Sequence, residues 1–157
     1  MRKWLLIPVV VLVLAVGFPR PAGATAPTEY IATYTVSTTD TSVRQAGGNT
    51  IVEQSGSAVL TGDIVGSATQ TDRLVVHADD SVNLQGRFTC TCTVAGRSGT
   101  VTVRFTGTAP AGGVIEGHDV VVSGTGGLAS LHGQGTFHGT ATPGVVAKDL
   151  FLHFDPS

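Results

Sequence analysis

The stretch Val82-Asn83-Leu84-Gln85-Gly86-Arg87-Phe88-Thr89-Cys90-Thr91-Cys92-Thr93-Val94 decides the fold. In an extended chain Val82, Leu84, Gly86, Phe88, Cys90, Cys92 and Val94 share one face, and the polar residues between them share the other. A long antiparallel strand with one face in a core and one in water has this alternation. Val101, Val103 and Phe105 repeat it against Thr100, Thr102, Arg104 and Thr106. Between them Ala95-Gly96-Arg97-Ser98-Gly99 reads as a short hairpin loop.

Working outward, weaker alternation predicts further strands over residues 30–38, 51–61, 64–78, 114–122, 128–138 and 146–154. Turn residues separate them: Gly47-Gly48-Asn49, Asp79-Asp80, Pro110-Ala111-Gly112-Gly113 and Pro143-Gly144. No stretch carries a convincing 3.6-residue repeat. About eight strands of about ten residues predict an all-β fold, a small closed antiparallel barrel. The alternative is a two-sheet β-sandwich. The barrel is preferred because the strands are long and glycines recur inside them, where strongly coiled strands must bend.

The N-terminus reads as a secretory leader. Arg2 and Lys3 precede an apolar run over residues 5–16, then a helix-breaking stretch ending in Ala22-Gly23-Ala24, an A-x-A cleavage site. The run is about 12 residues, short of the roughly 20 that cross a bilayer. The expectation is therefore a signal peptide over 1–24 and one domain over 25–157, secreted and not membrane-spanning after cleavage. Cleavage takes Arg2, Lys3 and Arg20 from nine basic residues and none of eleven acidic ones, leaving a net charge of −5 and Lys148 as the only lysine. Such a surface repels phosphate backbones, so no nucleic-acid partner is expected.

Several segments, in order, resemble a bacterial family known only as a domain of unknown function and grouped with the allene-oxide-cyclase-like barrels. They are the ten residues from Ser57 to Gly66 (SAVLTGDIVG), then Gly86-Arg87-Phe88-Thr89, Val94-Ala95-Gly96-Arg97-Ser98-Gly99-Thr100 and Gly107-Thr108. The last is the run from Ser123 to Gly133 (SGTGGLASLHG). The resemblance implies a small antiparallel barrel, a homo-oligomer, and a cyclase type of activity on a fatty-acid epoxide in the plant enzymes. Where the family tends to have an acidic residue in its Gly-Thr-Gly-acid-Leu motif, this chain has Gly127, so no role of that carboxylate carries over.

The residues themselves offer few sites. Cys90 and Cys92 lie on one strand face with Cα atoms about 6.6 Å apart, too far for an unstrained bridge, so free buried thiols are expected. The five histidines show no metal-binding spacing, and His132 and His138, six residues apart on one face, are roughly 20 Å apart. No metal and no cofactor is expected. Glu116, His118 and Asp119 are the weak candidates for catalysis. Strand neighbours face opposite sides, so either His118, with Glu116, or Asp119, with Ile115 and Val121, faces the interior. A titratable group there has a perturbed pKa and can act as acid or base. Gly124-Thr125-Gly126-Gly127-Leu128-Ala129 matches a dinucleotide fingerprint formally, but strand pattern resumes after it, so it reads as a bend. There is no G-x-S-x-G elbow.

The functional expectation is a secreted barrel binding a small hydrophobic ligand, lined by Phe88, Cys90, Cys92, Val101, Val103 and Phe105. One alternative is an isomerase or cyclase of the allene-oxide-cyclase type. The other is a packed structural or interaction module.

Overall fold

A computed structural model describes residues 25–140 and 144–156; the leader expected over 1–24 and the turn residue Pro143 lie outside them. Eight strands form one closed antiparallel barrel, each paired with its neighbours in chain order and β8 closing on β1. They are β1 (Thr28–Ala46), β2 (Asn49–Gly62), β3 (Ile64–Val76), β4 (Val82–Val94), β5 (Arg97–Ala109), β6 (Ile115–Gly124), β7 (Leu131–Thr140) and β8 (Gly144–Phe154). The closed ring leaves no unpaired sheet edge along its circumference.

The β4 alternation holds: Phe88, Cys90, Cys92 and Val94 are buried, and the threonines between them are exposed. Every residue of β4 from Val82 to Val94 pairs with β5. The β4–β5 connection is tighter than the expected five-residue loop. Ala95 (φ +50°) and Gly96 (φ +75°) alone make the turn, and Arg97 already pairs with Val94. Two successive positive φ angles give the turn whose twist matches that of the strands.

Two further expectations needed correction. Strand β1 runs to Ala46 rather than ending near residue 38. Residues 39–45 are exposed whichever way they point, so no alternation marks them. A bulge leaves Thr41 unpaired there, and the hairpin turns at Gly47-Gly48, both with positive φ. The strand expected from Leu128 begins at Leu131, and Gly126–Leu128 form a single 3-10 turn. This turn closes one end of the barrel by burying Leu128 completely. Close approach is possible because Gly99 and Gly124 have no side chain: a Cβ at either would overlap Thr125 O or Leu128 O.

The inward glycines are also accounted for. A Cβ on Gly86 would lie 2.6 Å from the Phe105 ring, and one on Gly107 would lie 2.9 Å from the Phe137 ring. Aromatic rings thus cover the bare backbone. At Gly133 and Gly135 the side chains of Leu152 and Leu150 do so. The room left by these missing side chains is filled by their neighbours.

Candidate functional site

The two ends of the barrel differ. The end closed by Leu128 holds Leu60, Ile64, Cys90, Cys92, Val94, Val101, Val103, Leu131 and Leu152, all buried, around a void of only about 30 Å³. The other end is open and holds a cavity of about 100 Å³. It receives the β1–β2, β3–β4 and β5–β6 connections, and Thr140 of β7 and Gly144 of β8 reach it.

The inward face of each strand carries its side chains into this cavity. From β1 come Tyr34 and Val36; from β2, Gln54; from β3, Gln70, Asp72 and Leu74; from β4, Leu84 and Phe88; from β5, Phe105; from β6, Ile115; from β7, Phe137; from β8, Val146 and Lys148. The aromatic rings form an arc, with centroids 5.1 Å apart for Tyr34–Phe88, 6.3 Å for Phe88–Phe105 and 6.3 Å for Phe105–Phe137. The last pair meets edge to face.

At the floor, where the cavity meets the packed half, the Lys148 ammonium donates to Asp119 Oδ2 over 2.6 Å. Lysine and aspartate are 4% and 1% exposed, so this is a fully desolvated ion pair. The ammonium also sits 4.9 Å from the centroids of Tyr34 and Phe137 and 5.0 Å from that of Phe88. Ring faces attract a cation, so the aromatic box and the carboxylate together replace its lost water. Asp119 Oδ1 has no hydrogen-bond partner. Burial pushes the Asp119 carboxyl upward, and the Lys148 charge opposes the rise.

A second polar chain climbs the wall. The Tyr34 hydroxyl donates to Gln70 Oε1 over 2.7 Å. Gln70 lies two residues before Asp72 on the same inward face of β3. Asp72 Oδ1 is buried and has no partner. Burial raises Asp72 to about 6; Glu53 and Asp40 add to the rise, and the Gln70 side chain opposes it. Burial, helped by Asp119, likewise raises the Tyr34 phenol.

Of the three acid–base candidates, Asp119 faces the interior, whereas Glu116 and His118 lie exposed on the outer face of β6. Of the six expected lining residues, Phe88 and Phe105 border the cavity. Cys90, Cys92, Val101 and Val103 point inward too, but into the packed half. Both cysteines are free and buried. The hydrogen bond to Cys92, then burial, holds the Cys90 thiol above its ordinary value. Among the described residues no three His, Cys, Asp or Glu side chains are placed to hold a metal ion.

Sequence reasoning missed Tyr34, Gln70, Asp72 and Lys148 as site residues. The signal was present. Ile64, Ala68, Gln70, Asp72 and Leu74 share one strand parity, as do Val146, Lys148, Leu150 and Leu152. Polar residues at core parity, one of them the only lysine after residue 24, mark an interior site.

Known proteins place the barrel in a family. The model of a protein family of unknown function, DUF3224, matches residues 30–145. The chain belongs to the DUF3224 family. A crystal structure of a DUF3224 protein of unknown function from Shewanella oneidensis MR-1 superposes with a TM-score of 0.72. The two are 18% identical, and the match covers 83% of this chain and 99% of that one. At that identity the likeness speaks for the DUF3224 fold alone. No curated protein matches the chain.

Proposed function

We propose that this DUF3224 barrel is exported and binds a small, largely apolar ligand at its open end. One observation carries the binding: a cavity of about 100 Å³, walled by Tyr34, Phe88, Phe105 and Phe137, opens beside buried polar groups at one end of an otherwise packed barrel. Small-molecule sites combine apolar walls with a few placed polar groups in this way. Eight-stranded barrels have room for one such ligand. The basic residues, apolar run and Ala22-Gly23-Ala24 motif of the leader support export.

Native mass spectrometry of the protein from its host's medium tests both parts. The expected species lacks residues 1–24 and carries a small molecule that a Leu84→Trp replacement excludes. A bare protein, or a bound molecule indifferent to that replacement, counts against the binding reading. A chain found only in the cytoplasm at full mass counts against export.

A second reading is an isomerase or cyclase of the allene-oxide-cyclase type, to which the resemblance points. The Asp119–Lys148 pair at the cavity floor favours it, because a carboxylate and an amine in one dry site can exchange a proton. In that case the bound molecule is converted, and Asp119→Asn stops conversion without abolishing binding.

A further inference from the structure

We propose that the occupant of the open-end cavity is a small organic cation, an alkylammonium whose head sits at Asp72 and whose apolar body lies against the phenylalanine rings. This rests on the reading of the cavity as a ligand site and names the ligand's chemistry.

The polar lining selects the charge. Asp72 is 8% exposed, lines the cavity and has no salt-bridge partner among the described residues. Its Oδ1 accepts no hydrogen bond. The charged side chains that act on it, Asp40 from β1 and Glu53 from β2, are both carboxylates. The nearest basic residue in the chain, Arg73, lies at the next position of β3, on the outer face, with Nε 3.6 Å from Glu53. The other cation at the site, Lys148, is already neutralised by Asp119 on the floor. An occupant therefore meets one unpaired carboxylate on the wall and aromatic faces around it. Both favour a cation.

The other ligand chemistries fit less well. An anion is repelled by Asp72, the lining carboxylate with no cation paired to it. A wholly apolar molecule leaves the buried Oδ1 unpaired, which has a cost in free energy. A metal ion needs converging ligands, and Asp40, Glu53 and Asp72 do not converge on a metal position. The size is set by volume. An engineered cavity of about 150 Å³ takes benzene, so one of about 100 Å³ takes a chain of roughly four or five heavy atoms.

Three probes of nearly equal shape separate the outcomes: n-butylammonium chloride, n-butanol and sodium butyrate. Each is titrated into the protein while the methyl resonances of Leu84 and Ile115 are followed. Butylammonium is expected to bind about tenfold or more tightly than butanol, in the millimolar range, with butyrate weaker than both. Asp72→Asn is expected to bring butylammonium down to butanol's affinity, and Asp40→Asn to weaken it less. If butanol or butyrate binds as tightly as butylammonium, or D72N leaves the preference intact, the cation assignment fails while the ligand site stands. If none of the three moves these resonances, the ligand-site reading fails and the assignment falls with it. The ranking on the unaltered protein holds even if a variant folds poorly.

Discussion

The two halves of the barrel obey the same alternation and reach opposite results. At the end closed by Leu128, inward positions are aliphatic or thiol and leave a void of about 30 Å³. At the open end, the same inward positions carry Gln70, Asp72 and a row of rings around a cavity of about 100 Å³. Asp119 and Lys148 form the boundary between them. A half that is packed and apolar holds the barrel together. A half that keeps polar groups dry spends stability on them, and such local conflicts mark functional sites.

The boundary gives the largest expected effect. Lys148→Met leaves the Asp119 carboxylate buried without its partner, which costs about 3–5 kcal/mol. Asp119→Leu combined with Lys148→Met removes both charges and should restore most of that loss, because a buried pair is often no better than apolar side chains of similar volume. Urea unfolding of the single and double variants checks this, and costs that simply add would contradict it. Next, Leu128→Ala should cost about 3 kcal/mol, since the plugged end has no slack to collapse into the gap. Leu84→Ala, only half-buried at the open end, should cost about 1 kcal/mol or less. Equal melting shifts for the two leucine variants would erase the contrast between the halves.

The third effect has the opposite sign. The folded state raises Asp72 to about 6, above its unfolded value, so folding favours the protonated carboxyl. That contribution is complete below about pH 4 and is lost as pH rises through about 6. Asp72→Asn should therefore stabilise the protein by about 1–2 kcal/mol at pH 7, allowing for solvent at the mouth, and by nothing near pH 4. Stability curves against pH for the two proteins give the difference directly. The smallest effect is at the β4–β5 turn. Ala95 holds a φ of +50°, which disfavours any side chain, so Ala95→Gly should gain up to about 1 kcal/mol. The gain should be the same in the unaltered protein and in D72N, since the turn lies at the closed end.

The same contrast explains what was legible in the sequence. The packed half announces itself: Cys90, Cys92, Val94, Val101 and Val103 alternate with threonines over two adjoining strands, and the closed eight-stranded barrel follows from extending that pattern. The open half is harder to read because its inward positions break the apolar rule. Gln70 and Asp72 look like surface residues of a weaker strand, and Lys148 looks like an ordinary charge. Only their parity with Ile64, Ala68, Val146 and Leu150 gives them away. Parity narrowed β6 to Asp119 or to His118 with Glu116, and the structure turns Asp119 inward. Its partner was not found, because the pairing joins β6 to β8 across the interior and no local spacing encodes it. The final stretch of β1 was hidden for a plainer reason: it has no buried face.

One measurement bears most directly on the claim that function resides in the open half. The protein, with Leu, Ile and Val methyl groups labelled, is titrated with a mixture of small alkyl and aryl fragments, and the shifted resonances are mapped. The account predicts shifts at Leu74, Leu84, Ile115 and Val146, with Leu60, Leu128 and Leu131 unmoved. Shifts spread over both ends, or confined to the outer face, would contradict it.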